Sequence, residues 1–86
     1  MVWRSSVSRI DAVRPLSSLR VGSVGVVARI AHDSAARADR LAALGVTPGA
    51  HVRVLQRFPG IVFLCDETEI AVERAVARGI LVDLAG

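Results

Sequence analysis

The most informative part of this sequence is RLAALGVTPGAHVRVLQR, residues 40–57, which combines a helix end, a tight turn and the start of a strand. Leu41 and Leu44 are three residues apart and share one helix face. Gly45 follows where a helix C-terminus favours a left-handed residue, which glycine tolerates without steric cost. The next four letters, VTPG, predict a turn because Pro fixes φ and Gly supplies a positive φ. Alternation from His51 to Arg57 then predicts a strand.

Length and composition indicate one small domain with a modest core. The chain has 86 residues, 52% of them hydrophobic, and a chain of this size buries roughly 60–65% of its unfolded surface. Arginine interrupts every apolar run before it reaches the roughly 18–20 residues that span a bilayer, and the N-terminus has no signal-like apolar region. The single cysteine, Cys65, excludes an intramolecular disulfide and fits a reducing compartment. We therefore expect a cytoplasmic protein.

The positive charge is dispersed along the chain. All eleven basic residues are arginine, the formal net charge is +3, and acidic residues are interleaved with the arginines. Nucleic-acid binding usually requires basic residues clustered on one face. A solvated surface is therefore favoured, and a nucleic-acid-binding small barrel is kept as the alternative.

Residues 1–14 are predicted to form an N-terminal extension, and residues 15–86 the domain. The extension is rich in Ser and Arg, and its hydrophobic periodicity is weak. Two interpretations stay open. One is a mobile tail, and the other is a docking arm that buries Trp3, Val7 and Ile10 on the body or on a second copy.

Short strands separated by tight turns dominate the remaining chain. A helical turn begins at Leu16 and is stopped by Gly22, and Gly25 is expected to allow a bulge in the next strand. Asp33 or Ser34 is the predicted N-cap of the longer helix. The pattern predicts a mainly β fold with short helices that closes into a small barrel. The predicted strands span residues 22–30, 51–57, 61–65, 69–72 and 80–84, and the predicted helices 35–44 and 73–78.

The strand Ile61–Cys65 (IVFLC) is apolar on both faces. If its odd-numbered residues point into the core, Val62 and Leu64 point outward, beside Leu55 of the preceding strand. Three outward aliphatic residues on adjacent strands form a patch of the kind that marks interfaces. The sequence therefore predicts a partner surface here.

Support for catalysis is weak. His32, Asp33 and Ser34 are the residue types of a hydrolase triad, but neighbours in sequence cannot converge in triad geometry. Cys65 has no obvious activating base and is expected to lie in the core. We therefore predict that the protein is not an enzyme.

Metal binding is a second chemical alternative. The two histidines are His32 and His51, and strand pairing is expected to bring His51 near Glu67. One histidine and one carboxylate leave a zinc site incomplete, although a dimer could complete it across a two-fold axis. We predict no required cofactor, and keep a divalent metal, iron or zinc, as the alternative at His32, His51 and Glu67.

The order of these motifs resembles the FeoA family. The resemblance covers residues 16–84, and the Leu-Gly-x-x-Pro-Gly segment is its most specific part. It implies an SH3-like barrel in a small cytoplasmic protein of bacterial ferrous-iron uptake. Glu67, where the family hairpin usually carries Gly, and the first 14 residues depart from the family pattern. The matching residues are Leu16-x-x-Leu19-x-x-Gly22, Arg40-Leu41-x-x-Leu44-Gly45-x-x-Pro48-Gly49, Val52, Val54, Pro59-Gly60, Ile70-Ala71-Val72 and Ile80-x-Val82.

The resemblance implies a partner role, in which the protein assists FeoB, the membrane ferrous-iron transporter with a cytoplasmic GTP-binding domain. The same barrel is similar to the C-terminal domain of metal-dependent repressors, so a self-associating metal-responsive regulator is an alternative, and a homodimer is a further expectation. The predicted structural turn residues are Gly22, Gly45, Pro48 and Gly49. The predicted partner-binding residues are Leu41, Leu44, Val46, Thr47, Leu55, Val62 and Leu64.

Overall fold

Six antiparallel strands form one sheet in the computed structural model, which describes residues 12–31 and 34–85. Helix α1 (Ala35–Ala43) joins the second strand to the third, helix α2 (Arg74–Ala77) joins the fifth to the sixth, and a 3-10 turn (Leu16–Ser18) follows the first. The sheet order is β1-β6-β2-β3-β4-β5. The strands are β1 (Val13–Pro15), β2 (Val24–Ile30), β3 (His51–Gln56), β4 (Ile61–Cys65), β5 (Thr68–Val72) and β6 (Ile80–Asp83).

The prediction of a mainly β fold with short helices is confirmed, but the expected closure of the sheet is wrong for the described residues. Strands β1 and β5 are the two ends of the sheet and do not pair with each other. Residues of α1 and α2 line a groove together with β5. Helical residues therefore adjoin β5, an end strand of the sheet, in this groove.

Strand β1 is an element that the sequence patterns did not predict. Val13 and Arg14 fall within the predicted extension, yet they pair antiparallel with β6. Pro15 is tolerated because β1 is an edge strand, where no further strand needs the missing N–H. Several sequence predictions fall outside the described residues, namely those for Trp3, Val7, Ile10, His32 and Asp33.

Both ends of α1 have the capping geometry that the sequence predicts. The hydroxyl of Ser34 accepts a hydrogen bond of 3.3 Å from the backbone N–H three residues later, which makes Ser34 the N-cap. At the other end, Gly45 has a φ of +92°, and its N–H donates to the carbonyl of Ala42 at 2.9 Å. The N–H of Val46 donates to the carbonyl of Leu41, also at 2.9 Å. This is a Schellman motif, which satisfies the last helical carbonyls and brings the flanking apolar side chains together.

The Pro-Gly turn then places the chain beside β2. The N–H of Ala50 donates to the carbonyl of Thr47 at 3.0 Å, and Gly49 has a φ of +96°, as a type II turn after Pro48 requires. Val27 of β2 accepts from the N–H of Gly49 and donates to the carbonyl of Ala50, both at 2.8 Å. The turn is therefore hydrogen-bonded to the sheet before β3 begins.

Gly25 permits close approach of two strands and does not form the predicted bulge. A Cβ atom on Gly25 would lie 2.6 Å from Cγ1 of Val82 and 2.8 Å from the carbonyl oxygen of Asp83. The register of β2 against β6 shifts instead between Val27 and Arg29. A glycine is needed at position 25 because β6 passes too close for any side chain.

The alternation of β4 identifies the inner face of the sheet. Ile61, Phe63 and Cys65 are buried, as predicted, while Val62 and Leu64 are half-buried. The same core cluster contains buried residues from the other elements, namely Leu16, Leu19, Val27, Leu41, Val46, Ala50, Val52, Val54, Ile70, Ala77, Ile80 and Val82.

Candidate partner-binding surfaces

A groove of about 320 Å³ lies between α1, β5 and α2, and we call it the helix groove. Leu44 is 51% exposed at its edge, because this residue is the C-cap at which α1 ends. The charged residues of the groove carry both signs, so apolar and charged side chains are presented together. The helix groove is lined by Arg37, Arg40, Leu41, Leu44, Ala71, Val72, Glu73 and Val76.

Two of the predicted partner-binding residues lie in the core. Leu41 is 3% exposed and Val46 is 1% exposed. They flank the Gly45 cap, where a Schellman motif pairs an apolar residue after the helix with one in its last turn. The prediction that the turn displays Val46 is therefore wrong, and Leu41 contributes only the floor of the helix groove. Thr47 is exposed, as predicted.

A second apolar surface lies on the outer face of the sheet, and we call Leu55, Val62 and Ala71 the outer patch. Val62 pairs with Ala71 across β4 and β5. The register of β3 against β4 shifts between Val54 and Gln56, so Leu55 is an extra residue beside Val62, and it is 38% exposed. Ala71 also lines the helix groove. The two surfaces are therefore continuous around the edge strand β5.

Leu64, the remaining predicted residue, belongs to a different groove of about 370 Å³, which we call the strand groove. Leu64 pairs with Arg53, and Arg53 pairs with Val24. These three residues form a row across β4, β3 and β2 on the outer face. The strand groove is lined by Val24, Gly25, His51, Val52, Arg53, Leu64, Asp66 and Leu84.

Phe58 is an exposed aromatic residue that is absent from the predicted partner-binding residues. It lies in the hairpin between β3 and β4 and is 80% exposed. Its neighbour is anchored, because the guanidinium of Arg57 donates to the carbonyl of Ser17 at 3.2 Å. The guanidinium of Arg74 also donates to the carbonyl of Arg57, at 2.6 Å. A large aromatic side chain on an anchored hairpin is a suitable interface hot spot, and its only sequence signal is its position beside Pro59.

Among the described residues, the structure does not group the predicted metal ligands His51 and Glu67 with further ligands. Strand pairing places Asp66 rather than Glu67 opposite His51. The N–H of Asp66 donates to the carbonyl of His51 at 2.7 Å, and the N–H of His51 donates to Oδ1 of Asp66 at 3.2 Å. Within residues 12–31 and 34–85, no three His, Cys, Asp or Glu side chains are grouped to hold a metal ion. His32 lies outside these ranges.

Cys65 has the surroundings of a core residue. Its side chain is almost fully buried, and its Sγ donates to the carbonyl of Gly45 at 3.5 Å. Burial raises the pKa of the Cys65 thiol, and the neighbouring Asp66 carboxylate raises it further. The thiolate is the reactive form of cysteine, so these surroundings oppose nucleophilic chemistry at Cys65.

These features define a small β domain with adjoining apolar surfaces, and none of the helices described in it is long and apolar enough to cross a membrane. The chain belongs to the FeoA family, since the FeoA domain model matches residues 14–84. The resemblance that the motifs predict is therefore confirmed, and it places the chain in a family associated with ferrous iron transport.

Solved structures agree with this assignment. The FeoA protein of Chlorobium tepidum is 34% identical, with a TM-score of 0.72 over 84% of this chain and 71% of that one. FeoA of Stenotrophomonas maltophilia, solved in complex with zinc, is 29% identical, with a TM-score of 0.71 over 81% and 89% of the two chains. It is described as an SH3 domain protein and a suggested ferrous iron transport activating factor. The predicted SH3-like fold is thereby confirmed.

The same fold occurs within a larger regulator. A manganese-dependent transcriptional repressor is 30% identical, with a TM-score of 0.77, over 83% of this chain and 41% of the repressor. This chain therefore corresponds to less than half of that protein. Comparison with curated protein sequences gives no match.

Proposed function

We propose that this chain is a non-enzymatic cytoplasmic adaptor that regulates ferrous iron uptake by binding the cytoplasmic GTP-binding part of an FeoB-like transporter. The observation that carries the proposal is the surface of apolar and charged side chains formed by the helix groove and the outer patch, which share Ala71. Family membership supports the link to iron uptake. The activating role suggested for the S. maltophilia relative supports a protein partner.

The exposed side chains of this surface suit a protein partner. Leu44 and Leu55 are exposed on this surface, Phe58 is exposed on the hairpin between β3 and β4, and exposed apolar side chains of this kind usually mark interaction sites. Arg37 and Arg40 stand beside Leu44 in the helix groove. Charged residues around an apolar centre orient a partner and accelerate association, so we assign these arginines to orientation and the apolar residues to affinity.

The size of an ordinary interface explains why both surfaces are included. A stable complex covers about 800 Å² on each partner, and the accessible surface of this chain is 5550 Å². A partner that fills the helix groove would therefore also cover neighbouring surface. The outer patch is the apolar surface that adjoins the groove at Ala71.

The proposal is tested by titrating the cytoplasmic domain of an FeoB-like transporter with this chain in a calorimeter. We expect measurable binding at micromolar concentration. Leu44→Glu and Phe58→Asp are each expected to weaken it about tenfold or more, because each places a charge in a desolvated contact.

Val24→Glu is the matched control, since Val24 is 53% exposed but lies in the strand groove. It is expected to leave transporter binding unchanged. Absence of binding with folded protein would overturn the proposed function. Equal losses in all three variants would overturn the assignment of the surface.

A further inference from the structure

The two end strands of the sheet differ in how readily they can pair with another chain. Strand β1 has only three residues and contains Pro15, and both features limit pairing at a sheet edge. Strand β5 has five residues without proline, and all five pair with β4 in an unshifted register. Among the described residues, no strand pairs with the other side of β5. This side, which we call the β5 edge, is therefore a regular template for an additional strand.

One hydrogen bond of β4 identifies the pairs that are hydrogen-bonded between β4 and β5. The N–H of Asp66 donates to the carbonyl of His51 on β3. The carbonyl of Cys65 belongs to the same planar trans peptide, so it points the opposite way, towards β5. Cys65 pairs with Thr68. These two residues therefore form a hydrogen-bonded pair, and Thr68 directs its own N–H and carbonyl groups towards β4.

The β5 edge consequently presents the backbone groups of Glu69 and Ala71. Hydrogen-bonded and non-hydrogen-bonded pairs alternate along an antiparallel ladder. Glu69 and Ala71 occupy the non-hydrogen-bonded positions of β5, so their N–H and carbonyl groups point away from β4. The two residues are separated by about 7 Å along the strand. This spacing of two donors and two acceptors is the one that an extended chain matches.

The helix groove adjoins the β5 edge. Ala71 and Val72 both line this groove, although consecutive strand residues point their side chains to opposite faces. A groove that meets both residues therefore follows the edge of the strand rather than one face. Arg37 and Arg40, both exposed, lie in the same groove, with Glu73 as the one acidic residue among its described lining residues. The groove beside the edge thus carries an excess of positive charge.

We propose that the transporter binds this protein by adding an extended acidic segment as a further strand at the β5 edge. Its backbone pairs with Glu69 and Ala71, and its carboxylates contact Arg37 and Arg40. Addition of a strand to a sheet edge is a common mode of peptide recognition, in which main-chain hydrogen bonds give affinity and alternate side chains give specificity. The inference rests on the proposed function, since the segment belongs to the cytoplasmic part of the transporter.

Strand addition gives the helix groove and the outer patch a common occupant. The side chains of an added strand alternate between the two faces of the sheet. One set would lie beside Ala71 of the outer patch, and the other set would face the helix groove. A single segment would therefore contact both surfaces.

Charge favours an acidic segment over a second copy of this chain. Pairing of two β5 strands about a two-fold axis would bring Arg37 and Arg40 of both copies to the same junction, and juxtaposed like charges are unfavourable. The formal net charge of +3 on each chain acts in the same direction. An acidic segment instead places opposite charges together.

Amide hydrogen exchange measured by NMR tests the proposal at the backbone. In the free chain, the amides of Glu69 and Ala71 should exchange rapidly, whereas the amide of Ile70, which faces β4, should exchange slowly. Saturation with the cytoplasmic domain of an FeoB-like transporter should slow exchange at Glu69 and Ala71 by about tenfold or more. Contact through side chains alone would not protect these two amides selectively.

A proline substitution tests the same hydrogen bonds by affinity. Glu69→Pro removes an N–H from the β5 edge without removing a bond to β4, and it should weaken calorimetric binding about tenfold. Glu69→Gln is the matched control, because it also removes the charge but keeps the N–H, and it should retain the affinity of the parent. Far-UV circular dichroism verifies that both variants are folded. If the proline variant does not fold, the exchange measurement on the parent decides the proposal.

The outcomes separate this inference from the proposed function. Calorimetric binding without protection of Glu69 and Ala71 would overturn strand addition and leave the adaptor role in place, whereas absence of binding would overturn both. Raising the salt concentration should weaken binding by screening the arginine contacts, and salt-independent affinity would overturn the acidic character of the segment. Protection of these amides in the free chain that disappears on dilution would assign the β5 edge to a second copy and overturn the proposal.

Discussion

Replacement of Gly25 by alanine tests the close approach of β2 and β6. The added Cβ would lie 2.6 Å from Cγ1 of Val82 and 2.8 Å from the carbonyl oxygen of Asp83. Non-bonded carbon atoms prefer a separation of 3.5–4.0 Å, so the first contact is too short by about 1 Å. Val82 is fully buried, and the carbonyl of Asp83 belongs to the backbone of β6. Neither group can move without disturbing the core or the strand pairing.

The sign of the stability change distinguishes this clash from an ordinary glycine substitution. Overpacking of a well-packed site costs about 1–3 kcal/mol. At an unobstructed strand position, alanine in place of glycine would instead stabilise the protein by about 0.5–1 kcal/mol. For a domain of this size, 1 kcal/mol changes Tm by roughly 4–8 °C. We therefore expect Gly25→Ala to lower Tm by roughly 4–24 °C.

Thermal and urea unfolding followed by circular dichroism measure the effect, and a double-mutant cycle identifies its cause. The cost of Gly25→Ala should be smaller in a Val82→Ala background, because the truncated side chain removes the shorter contact. Gly60→Ala is the control, since its Cβ would meet only the carbonyl oxygen of Val72, at 3.2 Å, and its cost should be smaller. A rise in Tm for Gly25→Ala, or costs that simply add in the cycle, would refute the reasoning.

Two further predictions concern the helix cap and the buried thiol. A Cβ at Gly45 would meet no atom within 4 Å, so a substitution there is destabilising through the positive φ alone. Gly45→Val should lower the free energy of unfolding by about 1–3 kcal/mol, and Gly45→Asn should lower it less. Equal Tm values for the valine variant and the parent would contradict this. The raised pKa of the Cys65 thiol means that the unfolded chain loses this proton first, at about pH 8.5. Its contribution to stability is full below that pH and is lost as pH rises through the folded pKa. The chain contains neither Lys nor Tyr, so few other groups titrate above about pH 8.5. Urea unfolding at increasing pH above that value should show the decrease in stability for the parent and not for Cys65→Ala. A parallel decrease in both proteins would mean that another group causes it.

The parts of the fold that sequence predicted best are those with a local cause. Ser34 and Gly45 terminate α1 through contacts within a few residues, and these signals are visible in the sequence. The inward and outward faces of β4 follow from the two-residue period of a strand. The burial of Val46 also has a local cause, because an apolar residue after a Gly cap packs on the helix. The prediction that Val46 binds a partner overlooked this packing against the helix.

The parts that sequence did not predict depend on distant partners. Strand β1 has only three residues, one of them proline, and it exists because β6 provides a partner about 70 residues later. The open sheet depends on which strands lie at its two ends, β1 and β5, and no local pattern specifies that order. The exposure of Phe58 depends likewise on a hairpin anchored by Arg57 and Arg74. Leu55 was placed outward correctly, but its bulge appears only in the pairing with β4.

Arg57 and Arg74 fix the hairpin that carries Phe58 before any partner arrives. Their two hydrogen bonds join backbone segments that are 40 and 17 residues apart in sequence. A loop that is already ordered loses little conformational entropy when it is captured. For the proposed complex, the encounter would then proceed at the rate of rigid docking, and differences in affinity among Phe58 variants would reside in the lifetime of the complex.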